Sequence, residues 1–220
     1  MSQSLFGFRG KDFCILAADA SAQASIVVIK DNLDRIFEAD DHFAFGCVGD
    51  PGDDTTYSDL IVRNIQLQKF RNGYTSTSHA NANFMRKLLH DGLRDHPYNV
   101  NIMIGAVDLP SDMNDTTTER TELMSSSVLI EGSNPSPHLY YLDYLGTLVE
   151  VPFAAHGYCA YLLYGILDEM WKKDMSVDEA KRLLSTCIKM IQKRFVMQQP
   201  KFICKIITKD GIELIEPLNN

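Results

Sequence analysis

The amino-acid sequence predicts an α+β fold in four layers, an αββα sandwich of two sheets packed face to face with a helix pair outside each. Three observations lead there. The elements run in the order strands, two helices, strands, two helices, strands, as set out below. Most of the helical segments carry one apolar stripe, and so need one buried side. A length of 220 residues allows one well-buried core but would cramp two, so a single domain over 1–220 is expected. Two helix pairs cannot share one face of a small sheet; they take opposite outer faces, and the sheets close on each other between them.

Each element has its own signal. Short Val/Ile/Phe-rich runs near 13–18, 24–29, 33–38 and 42–48 read as strands, because turn residues and not helical periodicity separate them. Lys30-Asp31-Asn32 is expected to turn the second into the third as a hairpin. From Gly49 to Asp54 a helix opens: Asp50 stands at the capping position, Pro51 suits the first helical position, and Asp53 and Asp54 favour the positive dipole end. A cation site is the competing reading of these acids, but the alternating oxygen ligands closed by a Glu of a calcium loop are missing. This helix places Tyr57, Leu60, Ile61 and Ile65 on one side and stops at Asn72-Gly73. A second helix is expected from about Ser76, with Ala80, Phe84 and Leu88 in line, ending before Pro97.

Residues 99–107 alternate as a strand with Val100, Ile102, Ile104 and Ala106 on one face, and further strands are expected near 138–143 and 147–151. Between them, about 109–137 is polar and Ser/Thr-rich, with Met124 to Ile130 its only apolar patch, and reads as an inserted surface loop. A third helix, about 158–170, is apolar nearly all round through Tyr161, Leu162, Leu163, Tyr164, Ile166 and Leu167, which implies burial in a core or an interface. The fourth opens on a capping box, Ser176 with Glu179, and aligns Val177, Ala180, Leu184, Cys187, Ile188, Ile191 and Phe195. Residues 201–207 and 212–215, joined by Lys209-Asp210-Gly211, form a closing hairpin.

Composition narrows the function classes. A hydrophobic share of 45% and a charged share of 23% are those of a folded globular chain. With 21 basic against 29 acidic residues the net charge is −8, so a phosphate backbone or an anionic membrane is repelled and nucleic acid is not an expected partner. The 5 cysteines, Cys14, Cys47, Cys159, Cys187 and Cys204, sit apart among apolar neighbours and read as small buried hydrophobes. No CxxC or HExxH pattern occurs and the 6 histidines are scattered, so neither a metal nor a cofactor is expected. The first ten residues lack the layout of a signal peptide and no apolar run reaches membrane-span length, which leads to the expectation of a reducing, intracellular setting.

Four stretches are similar to the proteasome beta subunits: Phe8 to Asp19, ending Ala17-Ala18-Asp19; Gly73 to Ser76 running into Ala82 to Arg86; Leu139 to Leu145; and Pro152 to Tyr158. The likeness covers nearly the whole chain. Together these stretches most resemble the type-2 beta class, which holds the fourth position of the eukaryotic beta ring and is without proteolytic activity. The long 109–137 segment departs from the family pattern. The resemblance implies an N-terminal nucleophile (Ntn) hydrolase fold and a place in a stacked four-ring particle of heptameric alpha and beta rings. The function it implies is assembly of the chamber for ATP- and ubiquitin-dependent protein degradation, in cytoplasm and nucleus, with other alpha and beta subunits as partners and no small-molecule substrate of its own. It also implies that the first helix pair faces the alpha ring and the second the opposite beta ring.

Active members of the family use an N-terminal threonine, whose hydroxyl attacks while its own amine takes the proton. Alignment through Arg9 and Gly10 puts Met1 level with it, and the first threonine here is Thr55. Asp19 matches the acidic partner, but the family lysine aligns with Arg35, a cation that cannot share its proton. The supporting Ser, Asp and Ser fall at Tyr158, Phe195 and Gln198. No catalytic residue is therefore expected. Asp19 and Arg35 are expected to pair and hold two strands, and His156 to be a packed, hydrogen-bonded histidine and not a general base. Two alternatives stand beside this: Ser2 as a nucleophile after removal of Met1, which the same supporting positions oppose, and a free-standing homo-oligomeric scaffold. Cleavage before Thr147 would also expose a threonine, but it would split the sheet core and is rejected.

Overall fold

The computed structural model describes residues 3–24, 27–109, 135–196 and 198–217. In chain order the described elements are β1 (Leu5–Arg9), β2 (Cys14–Asp19), β3 (Ala22–Ala24), β4 (Val27–Lys30), β5 (Ile36–Asp40), β6 (Phe43–Gly49), α1 (Pro51–Asn72), α2 (Ser78–Gly92), β7 (Val100–Asp108), β8 (Ser136–Leu142), β9 (Leu148–Glu150), β10 (Phe153–His156), α3 (Ala160–Met170), α4 (Val177–Arg194), β11 (Phe202–Thr208) and β12 (Gly211–Leu214).

They form the four layers. One five-stranded antiparallel sheet runs β10-β1-β2-β11-β12 and the other β5-β6-β7-β8-β9, with β3 and β4 pairing apart as a two-stranded ribbon. Leu5, Leu16, Ile36, Met103, Val107, Leu139 and Ile207 fill the space between the sheets. Outside the first sheet, Phe6, Phe8, Ile15 and Ile206 meet Leu163 and Leu167 of α3 and Leu183, Leu184, Ile188 and Ile191 of α4. Outside the second, Phe45, Ile102, Ile104 and Tyr140 meet Tyr57 and Ile61 of α1 and Met85 and Leu89 of α2. Each such aliphatic side chain contributes about 2 kcal/mol on leaving water, so a helix held by four of them stays docked.

The alternation of β7 decides which layer each residue joins. Val100, Ile102, Ile104 and Ala106 face the helices α1 and α2, as expected, while Met103 and Val107 face the other sheet. Both faces of β1 and β2 are covered, so every residue from Cys14 to Asp19 is buried. A strand covered on both sides reads as a continuous apolar run, and β1 was for that reason not set apart by periodicity. The strand β10 escaped for a related reason, being only four residues long.

Several local expectations need correction. Lys30-Asp31-Asn32 does not turn a hairpin: β4 pairs with β3, through Gln23↔Val28 and Ala24↔Val27, and β5 pairs with β6. Asp50 occupies the N-cap position of α1 without a side-chain capping bond; its carboxylate accepts instead from Asn99 Nδ2 at 3.0 Å. Leu60 of α1 is exposed. The second helix starts at Ser78, capped by Thr77, and its buried stripe is Asn81, Ala82, Met85 and Leu89 and not Ala80, Phe84 and Leu88. The packing against the second sheet decides which stripe is buried, and Phe84 and Leu88 lie partly buried at its edge.

The stretch 110–134 lies outside the described residues, and with it most of the expected 109–137 loop. At its far end, Ser136 and Pro137 belong to β8, paired with Asp108 and Val107. The third helix is not buried all round: only Leu163 and Leu167 are, and Tyr161 is 86% exposed. Expectations met include α1 ending at Gly73 with a left-handed φ of 73°, the Ser176–Glu179 capping box, the β11–β12 hairpin, and all five cysteines buried.

Candidate functional site

At one end of the sandwich the chain before β1, the turn after β2, the segment leading into β5, the start of α1, and the residues around 158 and 195–198 surround a cleft of about 1210 Å³. Arg35, Tyr158, Phe195 and Gln198 all line it, together with Gln3, Ser21, Gly49 and Asp54. The positions picked out in the sequence therefore do converge, although they are spread over more than 160 residues. Asp19 and His156 are not among the lining residues.

Arg35 forms the floor. Only 4% exposed, it donates from Nε to the backbone oxygen of Asp19 at 3.1 Å and from Nη2 to the backbone oxygen of Ser21 at 2.9 Å. Its charge faces Asp54, with Nη1 3.6 Å from Oδ2. The expected Asp19–Arg35 ion pair is thus corrected: the guanidinium takes the main-chain oxygen of Asp19, and the carboxylate points elsewhere.

That carboxylate is held by Ser21. It accepts from the Ser21 amide at 3.0 Å and from the hydroxyl at 2.8 and 2.9 Å. Burial pushes the Asp19 carboxyl upward from its ordinary value, against the pull of the Ser21 hydrogen bonds and of Arg35. Burial also raises Asp54, with Arg35 opposing it. An aspartate closing on the amide and hydroxyl two residues ahead is the geometry of a tight Asx turn, so the Asp19 carboxylate fixes the backbone between β2 and β3.

Among the described residues, the carboxylate on the floor, that of Asp54, faces the Arg35 guanidinium. The guanidinium also donates to two carbonyls. Tyr158 is exposed, while Phe195, at the end of α4, leans partly on the core outside the first sheet. Gln198 contributes its backbone oxygen to Gln23 Nε2 at 2.9 Å. Met1 and Ser2, the positions on which the two nucleophile readings depended, lie outside the described residues.

His156 is a packing residue, as expected. It is buried on β10, shares a hydrogen bond of 2.9 Å between Nε2 and the Ile102 oxygen of β7, and stacks on Tyr141 with ring centres 4.2 Å apart. It pins one sheet to the other. Burial lowers its pKa to about 4, outweighing the Ile102 carbonyl and the distant Asp143.

Four residues of the cleft were missed in the sequence. Ser21 had a usable signal, its spacing of two from Asp19. Asp54 was read as a dipole-facing acid, and only the tertiary fold brings Arg35 to it. Gln3 and Gly49, joined by a hydrogen bond from the Gly49 amide to Gln3 Oε1 at 2.9 Å, stand 46 positions apart, and nothing in their local sequence marks them.

Comparison with known proteins agrees with this architecture. A family model described as "Proteasome subunit" matches residues 1–114 and 113–207, and the chain belongs to that family. Among curated relatives it is similar to the proteasome subunit beta type-2 of Trypanosoma brucei brucei, 34% identical with all of both chains covered. It is also similar to the subunit beta type-2-A of Arabidopsis thaliana, 37% identical over 95% of this chain and 91% of that one. The proteasome subunit beta type-4 of Saccharomyces cerevisiae is 32% identical over 96% of each.

Proposed function

We propose that the chain is a catalytically silent beta subunit of the proteasome core particle, with an Ntn-hydrolase fold that serves assembly and not chemistry. It takes one defined place in a heptameric beta ring, the position held by the type-2 class. There it contacts two beta neighbours, the alpha ring through α1 and α2, and the opposite beta ring through α3 and α4. Its partners are the other alpha and beta subunits of a stacked four-ring particle that degrades proteins in an ATP- and ubiquitin-dependent manner, in cytoplasm and nucleus.

The observation that carries this reading is the outer face of α3. A helix this apolar ordinarily buries most of its surface, yet it keeps only Leu163 and Leu167 inside and turns Tyr161, Tyr164 and Met170 outward. Phe70 of α1, on the other outer layer, is 84% exposed. Large apolar side chains left in water on both outer layers favour burial against neighbours. Silence rests on the cleft: Arg35 stands where an active member needs lysine, and Tyr158, Phe195 and Gln198 replace the small polar supports.

Two experiments test the reading. Native mass spectrometry of core particles should find the chain once per beta ring, while the chain expressed alone should aggregate; a stable, monodisperse monomer at high concentration would count against it. For silence, a particle in which this subunit alone carries a correctly processed N-terminal threonine, all native catalytic subunits being inactivated, should hydrolyse no peptide. Covalent labelling of that threonine by a mechanism-based probe would show that Arg35, Tyr158, Phe195 and Gln198 do not disable the site. Groups that act as a unit fail as a unit, so restoring one should not restore activity.

A further inference from the structure

The contact between Gln3 and Gly49 lies inside the cleft and plays no part in the sandwich core. Gly49 ends β6, and its amide is a backbone donor on the cleft wall; the acceptor that satisfies it is not a neighbouring strand but the side-chain oxygen of Gln3, at 2.9 Å. The main chain of Gln3 also runs close to a second glycine. Gly157, with φ 84°, is the one residue type that permits the approach, because a Cβ there would stand 2.3 Å from the Gln3 oxygen. Gln3 thus passes close to one glycine at its main chain and is hydrogen-bonded to another at its side chain.

We infer that Gln3 is a built-in occupant of the cleft, an autoinhibitory contact in which its carboxamide holds the Gly49 amide against any entering carbonyl. The wall itself supports this. Asp34, Asp50 and Asp54 line the same cleft and repel an anion, so the acceptor that suits the Gly49 amide is a neutral carbonyl oxygen. That is the group Gln3 supplies and the group a peptide backbone would bring. Arg35, on the same cleft, already donates to the main-chain oxygens of Asp19 and Ser21 and faces Asp54. Val28, Leu33, Phe37 and Val196 on the lining suit an apolar peptide segment, which can lie in the cleft yet finds the Gly49 donor taken.

The inference rests on the reading of this cleft as catalytically silent, and its test separates the two. The experiment uses assembled core particles with all catalytic subunits inactivated and an apolar, C-terminally amidated hexapeptide carrying a photo-crosslinker. In particles bearing Gln3→Ala, crosslinking to this subunit should saturate at about fivefold lower peptide concentration than in the native particle, the worth of one hydrogen bond. Exchange of the Gly49 amide, read in the β6–α1 peptide by mass spectrometry, should rise in the variant and fall again on adding peptide, while in the native chain peptide leaves it unchanged. Equal crosslinking of native and Gln3→Ala subunits, or equal protection of Gly49 by peptide in both, would overturn it. Should Gln3→Ala fail to assemble, Gln3→Asn, one methylene too short to reach Gly49, is read against the same outcomes. Cleavage of the peptide at this subunit would instead overturn the silent reading.

Discussion

Arg35 faces Asp54 across the floor of the cleft with Nη1 3.6 Å from Oδ2, joining the segment that leads into β5 to the first turn of α1. Both side chains are buried, and Nε and Nη2 of the guanidinium donate to main-chain oxygens. Removing one partner leaves the other charge uncompensated, which for a buried pair costs about 3 kcal/mol or more. Asp54→Ala is therefore expected to lower the opening free energy of the β5 and α1 segments by about 3 kcal/mol, measured by hydrogen exchange in the assembled particle. The double change Arg35→Met with Asp54→Leu should cost clearly less than the two single losses added together, because it removes both buried charges at once.

His156 makes stability depend on pH. Its folded pKa, lowered to about 4 from 6.5, means that between those values the unfolded chain binds a proton that the folded chain refuses. Stability thus rises with pH across that window. The contribution is fully present above about pH 6.5 and lost as pH falls toward 4, a difference of about 3 kcal/mol at 1.36 kcal/mol per unit. The opening free energy of the β7 and β10 amides, read by hydrogen exchange in the assembled particle at pH 7 and at pH 4.5, should show this loss in the native chain. In His156→Gln the gap should narrow; an unchanged gap would assign the acid sensitivity to other groups.

Lys205 ties the two sheets from the middle of β11. Nearly buried, it donates from Nζ to the Ile36 oxygen at 2.7 Å and to Glu38 Oε1 at 2.7 Å, and pairs with Asp34 Oδ2 at 2.8 Å. Burial works against its charge, but Asp34 and Glu38 outweigh it and the pKa is raised. Because both carboxylates are about half exposed, they can turn to water when the amine is gone, which limits the loss. Lys205→Met is expected to cost about 2 kcal/mol, chiefly from the orphaned Ile36 oxygen, and to speed exchange in β5 and β11 ahead of β7.

Tyr161 separates folding from assembly. It is exposed in the free subunit, so Tyr161→Asp should shift the intrinsic stability of the fold by no more than about 0.5 kcal/mol. On the proposed face toward the opposite beta ring, the same change buries a charge without a partner. Competitive expression with the native subunit should then show the variant depleted from mature particles, by quantitative mass spectrometry. Incorporation equal to the native chain would remove α3 from the interface.

The sequence by itself determined most of the periodic elements and several of their caps, although not β1, β10 or the start of α2. The capping box at Ser176 and Glu179, the stop at Gly73, the alternation of Val100, Ile102, Ile104 and Ala106, and the four-layer order all depend on residues within a few positions of one another. Local sterics and local hydrogen bonds decide such features before the chain folds. The resemblance of four stretches to one family carried the cleft positions Arg35, Tyr158, Phe195 and Gln198, and the structure gathers them in one place.

Only the tertiary structure decided who pairs with whom. Arg35 was expected on the Asp19 carboxylate but rests on its main-chain oxygen, because Ser21 reaches that carboxylate first and α1 brings Asp54 to the guanidinium. The hairpin expected at Lys30 to Asn32 gave way to the β3–β4 ribbon, since turn residues mark a bend without naming the partner strand. The outward tyrosines of α3 and the Gln3–Gly49 contact were equally illegible. Pairing energies depend on distance through space, and residues far apart in sequence become neighbours only when the two sheets close and the main chain has already fixed where each side chain can reach.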